Sequence, residues 1–240
     1  MCKEPFSGYI VNKGRYLEGE EIGKWLPFPT TDGKVRDVLF EIGVDGIRCK
    51  EVMITDYRSE IAGLTDCFGK YENLSMLNYL ASLIRNCNRQ VLVAALEHGE
   101  FTGSVEELIN LVENLDCFYM IGAIRNDRDL GYFYAAEELG FAEVKQLMNG
   151  SICDLDFESY GRKMRLQDKG TYASDGSYIY LLDNPDLSSY KGTEDVPEEY
   201  RIYIRKTLQC SEKACTCSNR MVSGRKGDLY TLLRSKTVKN

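Results

Sequence analysis

From Leu74 onward the apolar residues of this chain change period, and that change constrains the fold more than any single motif. Leu74, Leu77, Leu80, Leu83 and Ile84 recur at near-helical spacing, and RQVLVAALEHG continues as a second helix. GSVEELINLVENLD is the clearest helix. Val105, Leu108, Ile109, Val112 and Leu115 share one face, and Ser104 with Glu107 makes a capping box. Upstream the pattern differs. Two apolar, aromatic runs, YIV and IGKWLPF, flank the turn-rich NKGRYLEGEE, which is a hairpin signal with a long loop. TTDGKVRDVLFEIGV reads as a short helix capped by Thr31 or Asp32, and EVMITDYRS as a strand. Residues 61–72 read as a linker or loop.

Downstream, CFYMIGAI is an apolar run that fits a strand or a buried connector. NDRDLGYFYAAEELG is a helix with Asp127 near its start and Gly140 as its stop. DLDFESYGRKMR reads as another short helix, and GTYASDGSYIYLL as two strands around a Ser-Asp-Gly-Ser turn. NPDLSSYKGTEDVPEE (184–199), rich in turn formers and acids, reads as a linker, and EEYRIYIRKTLQ as one more helix.

Several chemistries are excluded early. The glycines at 14, 19 and 23 fit neither a dinucleotide fingerprint nor a phosphate-cradling loop, because only three residues separate Gly19 from Gly23 and Trp25 follows Lys24. They read instead as backbone devices of a twisted hairpin, with Tyr9 and Trp25 in a small core. The single histidine, His98, rules out two-histidine zinc motifs and reads as a helix-end residue before Gly99. The nine cysteines, with no apolar leader, read as reduced thiols of a cytoplasmic protein, and CSEKACTC lacks a fourth zinc ligand. No apolar run approaches the roughly 20 residues of a membrane span. No metal and no cofactor is expected.

The charge is distributed unevenly. Residues 51–160 carry 19 acids against 7 bases, whereas residues 201–240 carry 2 acids against 10 bases. An acidic body of this kind calls for a basic partner, and the tail for an acidic one. The acids recur from Glu97 to Glu158, and three readings fit them. They form a solvated face with local capping roles, as for Glu106 and Glu107. They hold a general acid–base pair, although nothing singles out one pair. Or they imitate a phosphate ladder, since carboxylates three or four apart on a helix lie roughly 5–6 Å apart and each DNA strand shows a charge about every 3.4 Å. The basic tail fits phosphate contacts with nucleic acid, or attraction to the acidic body.

The opening stretch Tyr9-Ile10-x-Asn12-x-Gly14-x-Tyr16-x-x-Gly19-x-x-x-Gly23-x-Trp25 resembles the N-terminal signature of the ArdA antirestriction family. DLGYFYAAEELGFAEV, then DFESYGRKMRL and GTYASDGSYIYLL, resemble its antirestriction motif and C-terminal sheet. The resemblance covers about residues 8–183, departs from the family at Arg162-Lys163-Met164, where 161–170 is locally basic, and excludes the chain from about 193. It implies an elongated α+β protein of three small domains: an N-terminal hairpin domain (1–60), a central helical domain (61–123) and a C-terminal α+β domain (124–192), followed here by a basic extension (193–240). It further implies a homodimer, not an enzyme, that mimics DNA and occupies the DNA groove of the specificity and methyltransferase subunits of type I restriction–modification enzymes. The alternative is an adaptor of the same fold that binds nucleic acid or protein through its basic tail. On the first reading Glu97, Glu100, Glu106, Glu107, Glu113, Asp116, Asp127, Asp129, Glu137, Glu138, Glu143, Asp154, Asp156 and Glu158 form the partner-binding face. His98→Ala is expected to leave every activity of the chain intact; loss of activity in a folded variant would restore a catalytic histidine.

Overall fold

The structure, a computed structural model, describes residues 4–44, 51–149, 156–182 and 187–203. The hairpin signal folds as β1 (Phe6–Asn12) and β2 (Gly23–Phe28), antiparallel, with Phe6 opposite Phe28 and Val11 opposite Gly23. Its long loop contains a short helix, α1 (Lys13–Leu17), capped by Asn12. β3 (Val52–Ser59) pairs with the other edge of β1. Gly23 is required by proximity, since a Cβ there would lie 2.9 Å from the Ile10 carbonyl oxygen and 2.6 Å from Val11. Helix α2 (Asp32–Glu41) starts at Thr31, whose hydroxyl accepts from the Lys34 N–H. Its Val35, Val38 and Leu39 join Phe6, Ile10, Leu26 and Phe28 in one buried cluster.

Tyr9 and Trp25 lie elsewhere than the sequence reading placed them. Side chains alternate across a strand, and Phe6, Ile10, Leu26 and Phe28 take the buried face. Tyr9 and Trp25 therefore meet on the opposite face, both half-buried, with ring centroids 5.3 Å apart. The Arg58 guanidinium sits 3.9 Å from the Trp25 ring, a cation–π contact.

The apolar helices follow as α3 (Leu74–Asn86), α4 (Arg89–His98) and α5 (Val105–Glu113), capped by Asn73, Asn88 and Ser104. The Glu107 carboxylate accepts from the Gly103 N–H at 2.8 Å, one residue before the cap itself. Their buried Leu77, Leu80, Leu92, Leu108 and Ile109 continue the same cluster toward Phe118 and Ile179. Full burial of such a side chain contributes about 1.5–3 kcal/mol. After a 3-10 turn (Leu115–Cys117), CFYMIGAI supplies a strand, β4 (Phe118–Ile121). It pairs with β6 (Tyr178–Leu181), which also pairs with β5 (Thr171–Tyr172), giving the order β4-β6-β5.

Between these strands lie α6 (Asp127–Leu139), α7 (Phe141–Asn149) and α8 (Phe157–Asp168). Gly140 stops α6 as expected, and α7, which the sequence reading did not separate, begins at the next residue. α6 and α8 touch through their backbones. A Cβ on Gly131 would lie 1.8 Å from the Phe157 carbonyl oxygen, and one on Gly161 1.7 Å from that of Asp127.

The acidic segment read as a linker is docked. Asn110 accepts from the Tyr190 N–H (2.7 Å) and donates to its carbonyl (3.2 Å); Asn114 does the same for Ser188 (2.6 and 2.9 Å). Asn78 donates to the Tyr200 carbonyl at 3.0 Å and accepts from the Thr30 N–H at 2.5 Å. The Ser75 hydroxyl accepts from the Ile202 N–H. Tyr190 and Val196 are buried. Residues 187–203 thus form a strap across α3 and α5. Its end is a 3-10 turn (Glu198–Tyr200) and extended chain in place of the expected helix. The rest of that expected helix, and the basic tail from 204, lie outside the described residues.

Gly161→Ala is expected to lower the unfolding free energy by about 2–3 kcal/mol, because backbone rather than a flexible side chain must move. Gly33→Ala in α2, whose nearest neighbour would be 3.8 Å away, should raise it by about 0.5–1 kcal/mol. Urea unfolding of the two variants reads both signs. The double change Asn110→Ala with Asn114→Ala should cost about 2–4 kcal/mol, chiefly for the four hydrogen bonds lost to the strap.

Candidate partner-binding surface

Thirteen of the fourteen acids that the sequence singles out lie among the described residues; Asp154 lies outside them. Glu97 closes α4, Glu100 follows it, and Glu106, Glu107 and Glu113 lie on α5. Asp116 is in the 3-10 turn, and Asp127, Asp129, Glu137 and Glu138 are on α6. Glu143 begins α7, Asp156 caps α8 and Glu158 lies in its first turn. They are exposed, except for Glu106, Glu113, Asp127 and Asp129, which are half-buried.

Many of them have internal work, nearly all of it with neutral donors. Glu97 accepts from the Ser174 N–H and hydroxyl (2.6 and 2.5 Å), tying α4 to the turn between β5 and β6. Glu113 accepts from the Tyr79 hydroxyl at 2.6 Å, Glu138 from that of Tyr160 at 2.7 Å, and Asp129 from the Arg125 N–H at 3.2 Å. Asp156 accepts from the Ser159 N–H and hydroxyl, which hold its carboxyl below the usual range. Such bonds orient a carboxylate and leave its charge in place.

Asp127 is the exception. Arg165 Nε donates to it at 2.8 Å, Tyr172 at 2.8 Å and Arg162 at 3.5 Å. Arg165 above all holds its carboxyl below the usual range. Arg162 also meets Glu158 at 3.5 Å. The other eleven acids have no ion pair among the described residues. Their charge faces solvent uncompensated, most openly at Glu100, Asp116, Glu137 and Glu143.

The strap adds acids that the sequence reading left in a linker. Glu194, Asp195, Glu198 and Glu199 are all exposed, and Gly192 lies beside Glu106. The legible signal was Asn110 and Asn114, four apart on an apolar helix, since buried amides need partners. Elsewhere, His98 packs edge-on against Phe118 at 5.7 Å, and both ring nitrogens are covered and without a hydrogen bond. Burial pushes the Cys67 thiol up to about 11 and raises that of Cys87 as well, the reverse of an activated nucleophile. Among the described residues no cluster of His, Cys, Asp and Glu fits a metal ion, and no helix is long and apolar enough to cross a membrane.

The Asp127 pairing makes a pH prediction. Its folded carboxyl titrates below the unfolded value, so the stabilisation is complete above that value and disappears as pH falls through the folded one. Between about pH 5 and about pH 3, Asp127→Asn should therefore lose less stability than the parent chain in urea unfolding; equal losses would contradict the pairing.

Comparison with known proteins gives a family model described as antirestriction protein (ArdA), which matches residues 8–179. No curated protein matches the chain.

Proposed function

The chain belongs to the ArdA antirestriction family, and on that premise we propose that it is a non-enzymatic DNA mimic that inhibits type I restriction–modification enzymes in the cytoplasm. The observation that carries the reading is the set of eleven acids without an ion pair among the described residues, spread from Glu97 to Asp156. A basic groove that tracks phosphates gains from each carboxylate it meets, and the carboxylates offer no base to cut or methylate. The three units (1–60, 61–123 and 124–192) would display the charges along an elongated body, and a homodimer would double its length. The partner surface is then the DNA groove formed by the specificity and methyltransferase subunits.

Docking of the strap refines the rival reading, in which the basic tail binds nucleic acid or protein. Arg201 and Tyr203 belong to the folded body, with Arg201 Nε donating to the Val196 carbonyl and the Tyr203 N–H to Asp32. A clean deletion therefore starts at residue 204. The mimic should keep its inhibition without 204–240; a tail-driven adaptor should lose its partner.

Competition between this protein and labelled duplex DNA for a purified type I enzyme tests the mimic. Displacement should weaken steeply with added salt. Changing Glu100, Glu106, Asp116, Glu137 or Glu143 singly to Gln or Asn should cost less than about 3-fold, and all five together more than about 30-fold. No displacement by the folded chain would end the proposal. Loss of displacement by one such substitution would end its collective form.

A further inference from the structure

Arg165, from the locally basic stretch 161–170, lines a cleft of about 530 Å³ where the start of α6, α8 and β5 meet. Arg125, Arg128 and Arg165 line it, with Asp127, Glu158 and Tyr172. The two carboxylates are already engaged. Asp127 accepts from Arg165, Arg162 and Tyr172, and Glu158 pairs with Arg162. Arg165 gives Asp127 only its Nε, so both of its Nη groups lack a carboxylate partner among the described residues. Arg125 and Arg128 have no ion pair there at all.

Arg125, an exposed side chain, reaches the neighbouring hairpin. Its side chain lies across Gly176 at the tip of the β5–β6 turn, where a Cβ would come within 2.9 Å of its Nε. Arg128 opens onto a neighbouring hollow of about 580 Å³ with an apolar wall of Ile124, Tyr132 and Phe157, and with Lys145 and Asp129 at its rim. Asp129 is occupied by the Arg125 N–H.

We infer that this cleft binds a phosphate-bearing anion, its oxygens taken by the guanidinium groups of Arg125 and Arg128. The planar fork of arginine matches phosphate oxygens two at a time, and the space is in the range of small-molecule sites. The adjoining apolar hollow gives room for an organic group attached to the phosphate.

Calorimetric titration of the full chain with inorganic phosphate and with adenosine monophosphate, at low ionic strength, tests this. R125Q/R128Q removes both guanidinium groups and no side-chain bond of the fold; R36Q on α2 serves as the control. Saturable binding of at least one probe, weakened about 10-fold or more in R125Q/R128Q and unchanged in R36Q, is expected. Adenosine monophosphate binding more tightly than phosphate would assign the hollow to its nucleoside. Equal affinities would assign the phosphate group alone as the ligand. No saturable heat from either probe at millimolar concentration, or equal binding by the double variant with an unaltered unfolding curve, would overturn the inference.

Discussion

Like charges held on one body repel one another, and residues 51–160, with 19 acids against 7 bases, must be held together by something other than ion pairing. Self-repulsion of this kind works against compactness. What opposes it is the apolar seam through α3, α4 and α5, which receives Phe6 and Leu26 from the first sheet and Phe118 and Ile179 from the second. Hydrophobic burial does not depend on charge, so surface carboxylates can accumulate without dismantling the core. Among the described residues the ion pairs lie at the N-terminal sheet, at the α6–α8 crossing and within the strap, where Arg201 meets Glu198.

The choice of hydrogen-bond donor follows the same logic. A carboxylate satisfied by an arginine loses its field, whereas one satisfied by a serine or tyrosine hydroxyl or a backbone N–H keeps it. Glu97, Glu107, Glu113, Glu138 and Asp156 all take neutral donors. They brace helices and turns, and they still present negative charge. Bracing and display are therefore not competing uses of these side chains. Among the described acids of the set, Asp127, which joins α6 to α8 through Arg165, and Glu158, paired with Arg162, give up their field to arginine.

What the sequence made legible was local. Helices α3 to α5 follow from apolar spacing, the start of α5 from its Ser104 cap, and the hairpins from turn residues. Strand parity was harder, because YIV and IGKWLPF show aromatic residues on both faces; only pairing with β3 and cover by α2 decides that Phe6 and Phe28 go in and Tyr9 and Trp25 go out. Helix α7 was hidden because Gly140 looks like an ending whether or not another helix follows. The strap was hidden because its stability comes from residues some 75–120 positions away. The acids were visible as a list, but their division into ion-paired and uncompensated depends on where Arg162 and Arg165 fall on α8.

Asn110 on α5 and Asn114 at its end grip main-chain atoms of Tyr190 and Ser188, and so they are indifferent to most of what the strap spells. Among its described residues Tyr190 and Val196 are committed by burial, and Tyr200 and Ile202 by packing against the core. The remaining positions can drift, gaining or losing acids, while the segment stays seated. Among descendants of this chain, resemblance in letters would fade over the strap much sooner than resemblance in shape, and a pair of asparagines four apart on the preceding helix would outlast it as the trace of where the strap lies.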